Sequence, residues 1–99
     1  MNNFRVRDIE PSKFVKKVRR VLMKSELGKV ASFEEKGDQI TITFSQLGKS
    51  HIYFDVEQEE NAFLAKKTKE KIAFTHGAFR KDVEKRLSDL IVKLGAEML

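Results

Sequence analysis

The stretch VASFEEKGDQITITFSQLGKSHIYFDVE, residues 30–57, decides the fold. Ile40, Ile42 and Phe44 alternate with Thr41, Thr43 and Ser45, the period of a strand buried on one face only. Gly37-Asp38 is a two-residue hairpin signal that separates this strand, residues 39–46, from one over residues 30–36. A tight turn there sets Phe33 opposite Ile42 and Ala31 opposite Phe44. Leu47-Gly48-Lys49 marks a second turn, followed by a strand over 50–57 with Ile52, Phe54 and Val56 pointing inward. A three-residue loop would place Phe44 opposite Ile52 and Ile42 opposite Phe54. Both hairpins then gather the large apolar side chains on one face, as a half-buried antiparallel sheet requires.

Working outward, two helices flank this meander. Pro11 suits a first helical turn, where its missing amide hydrogen costs nothing. Phe14, Val15, Val18, Val21 and Leu22 then share one side of a helix reaching about Ser25, with Gly28 just beyond its end. Phe79, Val83, Leu87, Leu90, Ile91 and Leu94 recur at helical spacing up to Gly95, after which the chain is expected to fray. Phe4 and Val6 alternate with Arg5 and Arg7, consistent with a short edge strand. Residues 59–75 fit two descriptions. They read either as a fourth strand with a basic loop or as one to two turns of helix, followed by a short strand over 72–75 and a turn at His76-Gly77. The order predicts a two-layer α+β sandwich, with a three- to four-stranded antiparallel meander and an N-terminal and a C-terminal helix packed on one face. Phe14, Phe33, Phe44, Phe54, Phe74 and Phe79 all fall on inward faces of that arrangement and are expected to form its core.

The 99 residues suit one domain over 1–99, with a single modest core. Cysteine is absent, which excludes disulfides, thiolate metal sites and thiol catalysis. Two histidines are too few for an all-histidine zinc site, and no cofactor or metal is expected. No apolar run is long enough to span a membrane, and the charged N-terminus does not read as a secretory leader, so a cytoplasmic location is expected. Charge is segregated along the chain. Residues 1–27 carry a net +5, residues 28–60 a net −4 and residues 61–99 a net +4. A molecule polarised in this way attracts partners of one sign to one side, or its own copies head to tail.

The strongest functional signal is a ridge on the first helix. Lys13, Lys16, Lys17, Arg20 and Lys24 fall within about 100° of arc on a helical wheel, opposite the apolar side. No acid lies between Lys13 and Ser25, whereas the last helix mixes Asp82, Glu84 and Asp89 with Lys85, Arg86 and Lys93. Unpaired like charges at helical spacing repel by a few tenths of a kcal/mol per pair, so a polyanion would relieve them. These residues are expected to contact nucleic-acid phosphates. A second basic cluster, Lys66, Lys67, Lys69 and Lys71, would join them if folding brings it alongside. The outer sheet face offers only Tyr53 for base stacking and carries acids, so contacts are expected on helices and basic loops. The alternative partner is an acidic protein surface, including the acids of residues 34–60 on another copy. The oligomeric state is open.

No catalytic constellation emerges. His51 would face Ser45 in the register above, but Asp55 is about 13 Å along the strand, too far to orient it. His76 reads as a turn or cap residue.

The order helix, three strands, helix resembles that of double-stranded-RNA-binding domains, with Arg80, Lys81, Lys85 and Arg86 early in the last helix. The same order, together with Gly48-Lys49-Ser50-His51-Ile52-Tyr53-Phe54, is similar to the HicA-type messenger-RNA interferase toxins, whose second strand is led by a Gly-Ser-His segment. That resemblance implies a small ribonuclease with His51 as its catalytic histidine.

Overall fold

A computed structural model describes residues 1–45, 48–73 and 77–99, the side chains of 77–79 excepted. It contains strand β1 (Phe4–Arg7), helix α1 (Pro11–Met23), a 3-10 turn (Glu26–Lys29), β2 (Ala31–Lys36), β3 (Gln39–Ser45), β4 (Lys49–Glu59), β5 (Ala62–Lys71), α2 (Gly77–Lys93) and β6 (Ala96–Met98). The six strands form one antiparallel sheet in the order β2-β3-β4-β5-β1-β6, curled into a half-barrel. This corrects the expected three- to four-stranded sandwich. A strand precedes the first helix, another follows the last, and the two pair with each other inside one larger sheet. The helix–three strands–helix order behind both family resemblances is therefore not the order of this chain.

The first hairpin forms as its turn chemistry dictates. Gly37 takes φ +60°, and Ala31 pairs with Phe44 and Phe33 with Ile42. The second hairpin is slipped by two residues from the expected register. Ser45 pairs with Lys49, Phe44 with Ser50, Ile42 with Ile52 and Ile40 with Phe54. A two-residue slip leaves every side chain on its original face, so alternation alone does not detect it. Ser50 lies on the apolar side in either register; the slip pairs it with Phe44, where it is fully buried, with its Oγ accepting a 2.8 Å hydrogen bond from the Ala73 amide.

Residues 62–71 are a strand throughout, so the four lysines lie on β5 and not in a loop. Phe63 and Ala65 face the core, and a bulge opposite Tyr53 and Phe54 places Thr68 out of step. That extra residue breaks the period of two that would have marked the strand. The expected strand over 72–75 is not formed at residues 72 and 73, and Phe74, Thr75 and His76 lie outside the described residues, as does the side chain of Phe79. β1 is not an edge strand. It lies between β5 and β6 with Phe4 and Val6 buried. Residues 96–98 do not fray: Ala96 pairs with Val6 and Met98 with Phe4.

Both helices cover the apolar face. α1 buries Phe14, Val15, Val18 and Leu22, whereas Val21, expected inside, is 36% exposed. α2 buries Val83, Leu87 and Ile91. Six phenylalanines, Phe4, Phe14, Phe33, Phe44, Phe54 and Phe63, are among the largest fully buried side chains. Phe4 meets Phe54 edge-on at 5.3 Å, and Phe14 meets Phe63 at 5.8 Å.

α1 ends at Met23 with Lys24 as its C-cap, and Gly28, expected just beyond the helix, lies inside the 3-10 turn in close approach to the end of α1. A Cβ at this position would lie 2.0 Å from the Leu22 carbonyl oxygen, a backbone atom that cannot swing away. Gly28→Ala is expected to cost about 1–3 kcal/mol of unfolding free energy, by analogy with overpacking, measurable as a lowered urea midpoint. A midpoint unchanged from the parent protein would show that the 3-10 turn can shift freely.

Candidate nucleic-acid interface

The buried face of α1 fixes what its other face presents. With Phe14, Val15, Val18 and Leu22 against the sheet, Lys13, Lys16, Lys17, Arg20 and Lys24 are all exposed, joined by Arg19. The helix holds no acidic residue between Pro11 and Met23. Among the described residues none of these six cations makes an ion pair or a side-chain hydrogen bond. Arg20 and Lys24 lie at the C-terminal end, where the helix dipole favours positive charge and offsets part of the mutual repulsion.

Several cations elsewhere are engaged, while Lys36, Lys49, Lys71, Lys81 and Lys93 make no ion pair among the described residues. On α2, Arg86 pairs with Asp82 and Lys85 with Asp89, each at 3.1 Å. Arg80 bridges Glu70, at 2.7 Å, and Glu84, which also meets the Met1 ammonium. Glu84 is 8% exposed, so this network supplies the partners that a buried carboxylate needs. Arg80 is thus held within the fold. On β1, Arg5 donates from Nε to Glu59 at 2.8 Å and lies 3.8 Å from Glu97. The hydrogen bond from Arg5 holds the Glu59 carboxyl below its ordinary range and, in return, holds the guanidinium above its own.

The second basic cluster does not extend the α1 ridge. Lys66 stands beside Asp55 on the outer face of the sheet and pairs with Glu57 at 3.6 Å. Lys69 is also on the outer face, its ammonium 4.8 Å from the centre of the Tyr53 ring. Lys67 shares the side of Phe54, pairs with Glu70 at 3.6 Å, and gives its amide hydrogen to Asn3 Oδ1. α1 covers the inner face, so Lys66 and Lys69 lie across the sheet from Lys13, Lys16, Lys17, Arg20 and Lys24.

His51 takes Thr43 as its cross-strand partner, with Nδ1 3.0 Å from the threonine hydroxyl, and Ser45 is paired with Lys49. The two-residue slip therefore separates the serine and histidine that the expected register placed face to face. Lys49 and Lys71, with His51 and Tyr53, form a basic and aromatic group on the outer face that the sequence reading passed over. The alternation Lys69-Glu70-Lys71 was its signal, since period two sends both lysines to one side of a strand and the acid to the other.

Among the described residues no group of three or more His, Asp or Glu is arranged to hold a metal ion, and no helix is long and apolar enough to cross a membrane. No known protein family matches the chain, and no characterised protein is detectably similar to it.

Proposed function

We propose that this protein binds the phosphate backbone of nucleic acid through α1. The observation that carries the reading is the contrast between helices. α1 and its C-cap expose six cations with no acidic partner among the described residues, whereas three of the five cations of α2, Arg80, Lys85 and Arg86, are held by carboxylates and only Lys81 and Lys93 are not. Lys16, Lys17, Arg20 and Lys24 make the phosphate contacts, with Lys13 at the margin. Such contacts set affinity and orientation and carry no base readout. Binding of a labelled duplex, followed across salt concentrations, tests the assignment because a phosphate-driven complex weakens steeply as salt rises.

A second reading rests on the acidic end of the molecule. Asp8, Glu10 and Glu59 line one groove near the start of α1, and Glu35 and Asp38 line the next. Arg20 and Lys24 lie at the far end of the same helix, so a head-to-tail contact between copies would pair opposite charges. Sedimentation as a monomer at both low and high salt would remove this alternative.

A further inference from the structure

The outward side chains of β3, β4 and β5 form rows across the sheet. The row at the turn joining β3 to β4 is Ser45 and Lys49, and the next holds Thr43, His51 and Lys71. Tyr53 and Lys69 follow, with Glu34 two strands away at the β2 edge. Acids dominate only beyond this point, where Asp55, Glu57 and Glu59 succeed one another along β4 and face Lys66 and Arg5. The half nearest the turn is therefore cationic and carries the half-buried rings of His51 and Tyr53.

The β5 bulge produces this division. Without it, a strand that sends Lys66 outward would also send Thr68 and Glu70 outward. With Thr68 out of step, Lys69 and Lys71 turn outward beside Tyr53 and His51. Glu70 turns inward to meet Arg80 and Lys67. Thr68 anchors the irregularity by donating from its hydroxyl to the Tyr53 carbonyl, at 3.3 Å. Bulges of this kind commonly re-aim side chains at binding sites.

The two rings lie 6.0 Å apart at 33°, with Lys69 over the tyrosine. They form one wall of a groove of about 420 Å³ that runs over Thr41, Thr43 and Ser45 of β3, with Ser32, Glu34 and Lys36 of β2 on its other side and Lys49 at its end. Aromatic faces, flanking ammonium groups and a hydroxyl floor match a base, its phosphate and its sugar. We propose that this half of the outer face binds single-stranded nucleic acid, with unpaired bases against Tyr53 and His51 and phosphates against Lys49, Lys69 and Lys71. A duplex keeps its base faces stacked internally and has nothing to offer the rings. The site is distinct from the α1 ridge, which lies on the other side of the sheet.

Tyr53 is the sole tyrosine and there is no tryptophan, so intrinsic emission reports this face and is blind to α1. The test is a titration of the protein with a ten-nucleotide oligouridylate at low salt, followed by tyrosine fluorescence. Saturable quenching is expected, and it should persist when excess duplex of the same length is present. Lys69→Ala with Lys71→Ala, and separately Lys49→Ala, should move the midpoint to higher concentration, the double variant by about tenfold or more. The midpoint is the readout because Lys69 touches the ring and its loss alters the starting emission. Circular dichroism confirms that each variant is folded. Quenching by inorganic phosphate alone, quenching abolished by duplex, or emission unchanged by the oligonucleotide would each overturn the site. These outcomes do not depend on whether α1 binds duplex.

Discussion

Replacing Phe14 with alanine is expected to lower the unfolding free energy by about 3–5 kcal/mol, the range for a fully buried phenylalanine. Phe14 is completely buried, and its ring centre lies 6.3 Å from that of Phe4, 6.4 Å from Phe33 and 5.8 Å from Phe63. One side chain thus ties α1 to three strands, β1, β2 and β5. Alanine would leave a void bounded by other rings, which have few rotamers with which to collapse into it. Domains of this size are stable by only about 5–15 kcal/mol, so the variant would lose a large share of its margin. Urea denaturation should show a lower midpoint with an unchanged slope. Phe14→Leu, closer in volume, should retain most of the stability. A loss below about 1 kcal/mol for the alanine variant would mean that α1 is not anchored where the fold places it.

The largest expected effect on binding comes from Lys16→Glu combined with Arg20→Glu. Each substitution removes an attraction to phosphate and adds a repulsion of similar size. Exposed charge pairs are worth about 0.2–1 kcal/mol, so two reversals amount to about 1–4 kcal/mol. That corresponds to a loss of about fivefold to 700-fold in affinity for duplex at low salt. Stability should change little, because both positions are exposed and the reversal relieves repulsion along the helix. A folded double variant with parental affinity would remove the ridge from the interface. Lys85→Glu with Arg86→Glu on α2 is the matched control. These cations are already paired with Asp89 and Asp82, and duplex affinity should change far less.

The first hairpin and both helices were legible in the sequence because each rests on a local rule. Gly37-Asp38 specifies its own turn, and the apolar spacing of residues 14–22 and 83–91 specifies helices. The rest depended on pairings that leave little local trace. The slip in the second hairpin preserves the face of every residue. Phe63 and Leu64 are adjacent because β5 has Leu64 half-buried on its outer side, and the Thr68 bulge then resets the alternation. β6 has three residues and exists through its pairing with β1, a contact between opposite ends of the chain. The same reasoning applies to the candidate sites. The α1 ridge follows from helical spacing alone, whereas placing Lys69 and Lys71 beside Tyr53 and His51 requires the β4–β5 register. Once that register is known, the acids that argued against the outer face are found grouped largely toward its other end.

The most direct test of the α1 assignment is the salt dependence of duplex binding, measured by anisotropy of a labelled 20-base-pair duplex from about 50 to 200 mM monovalent salt. Four or five phosphate contacts should give a logarithmic slope of about −4, since each neutralised phosphate contributes about −0.9. The Lys16→Glu, Arg20→Glu double variant should then show a slope shallower by about two. No binding at the lower salt, or an affinity indifferent to salt, would contradict the proposed interface.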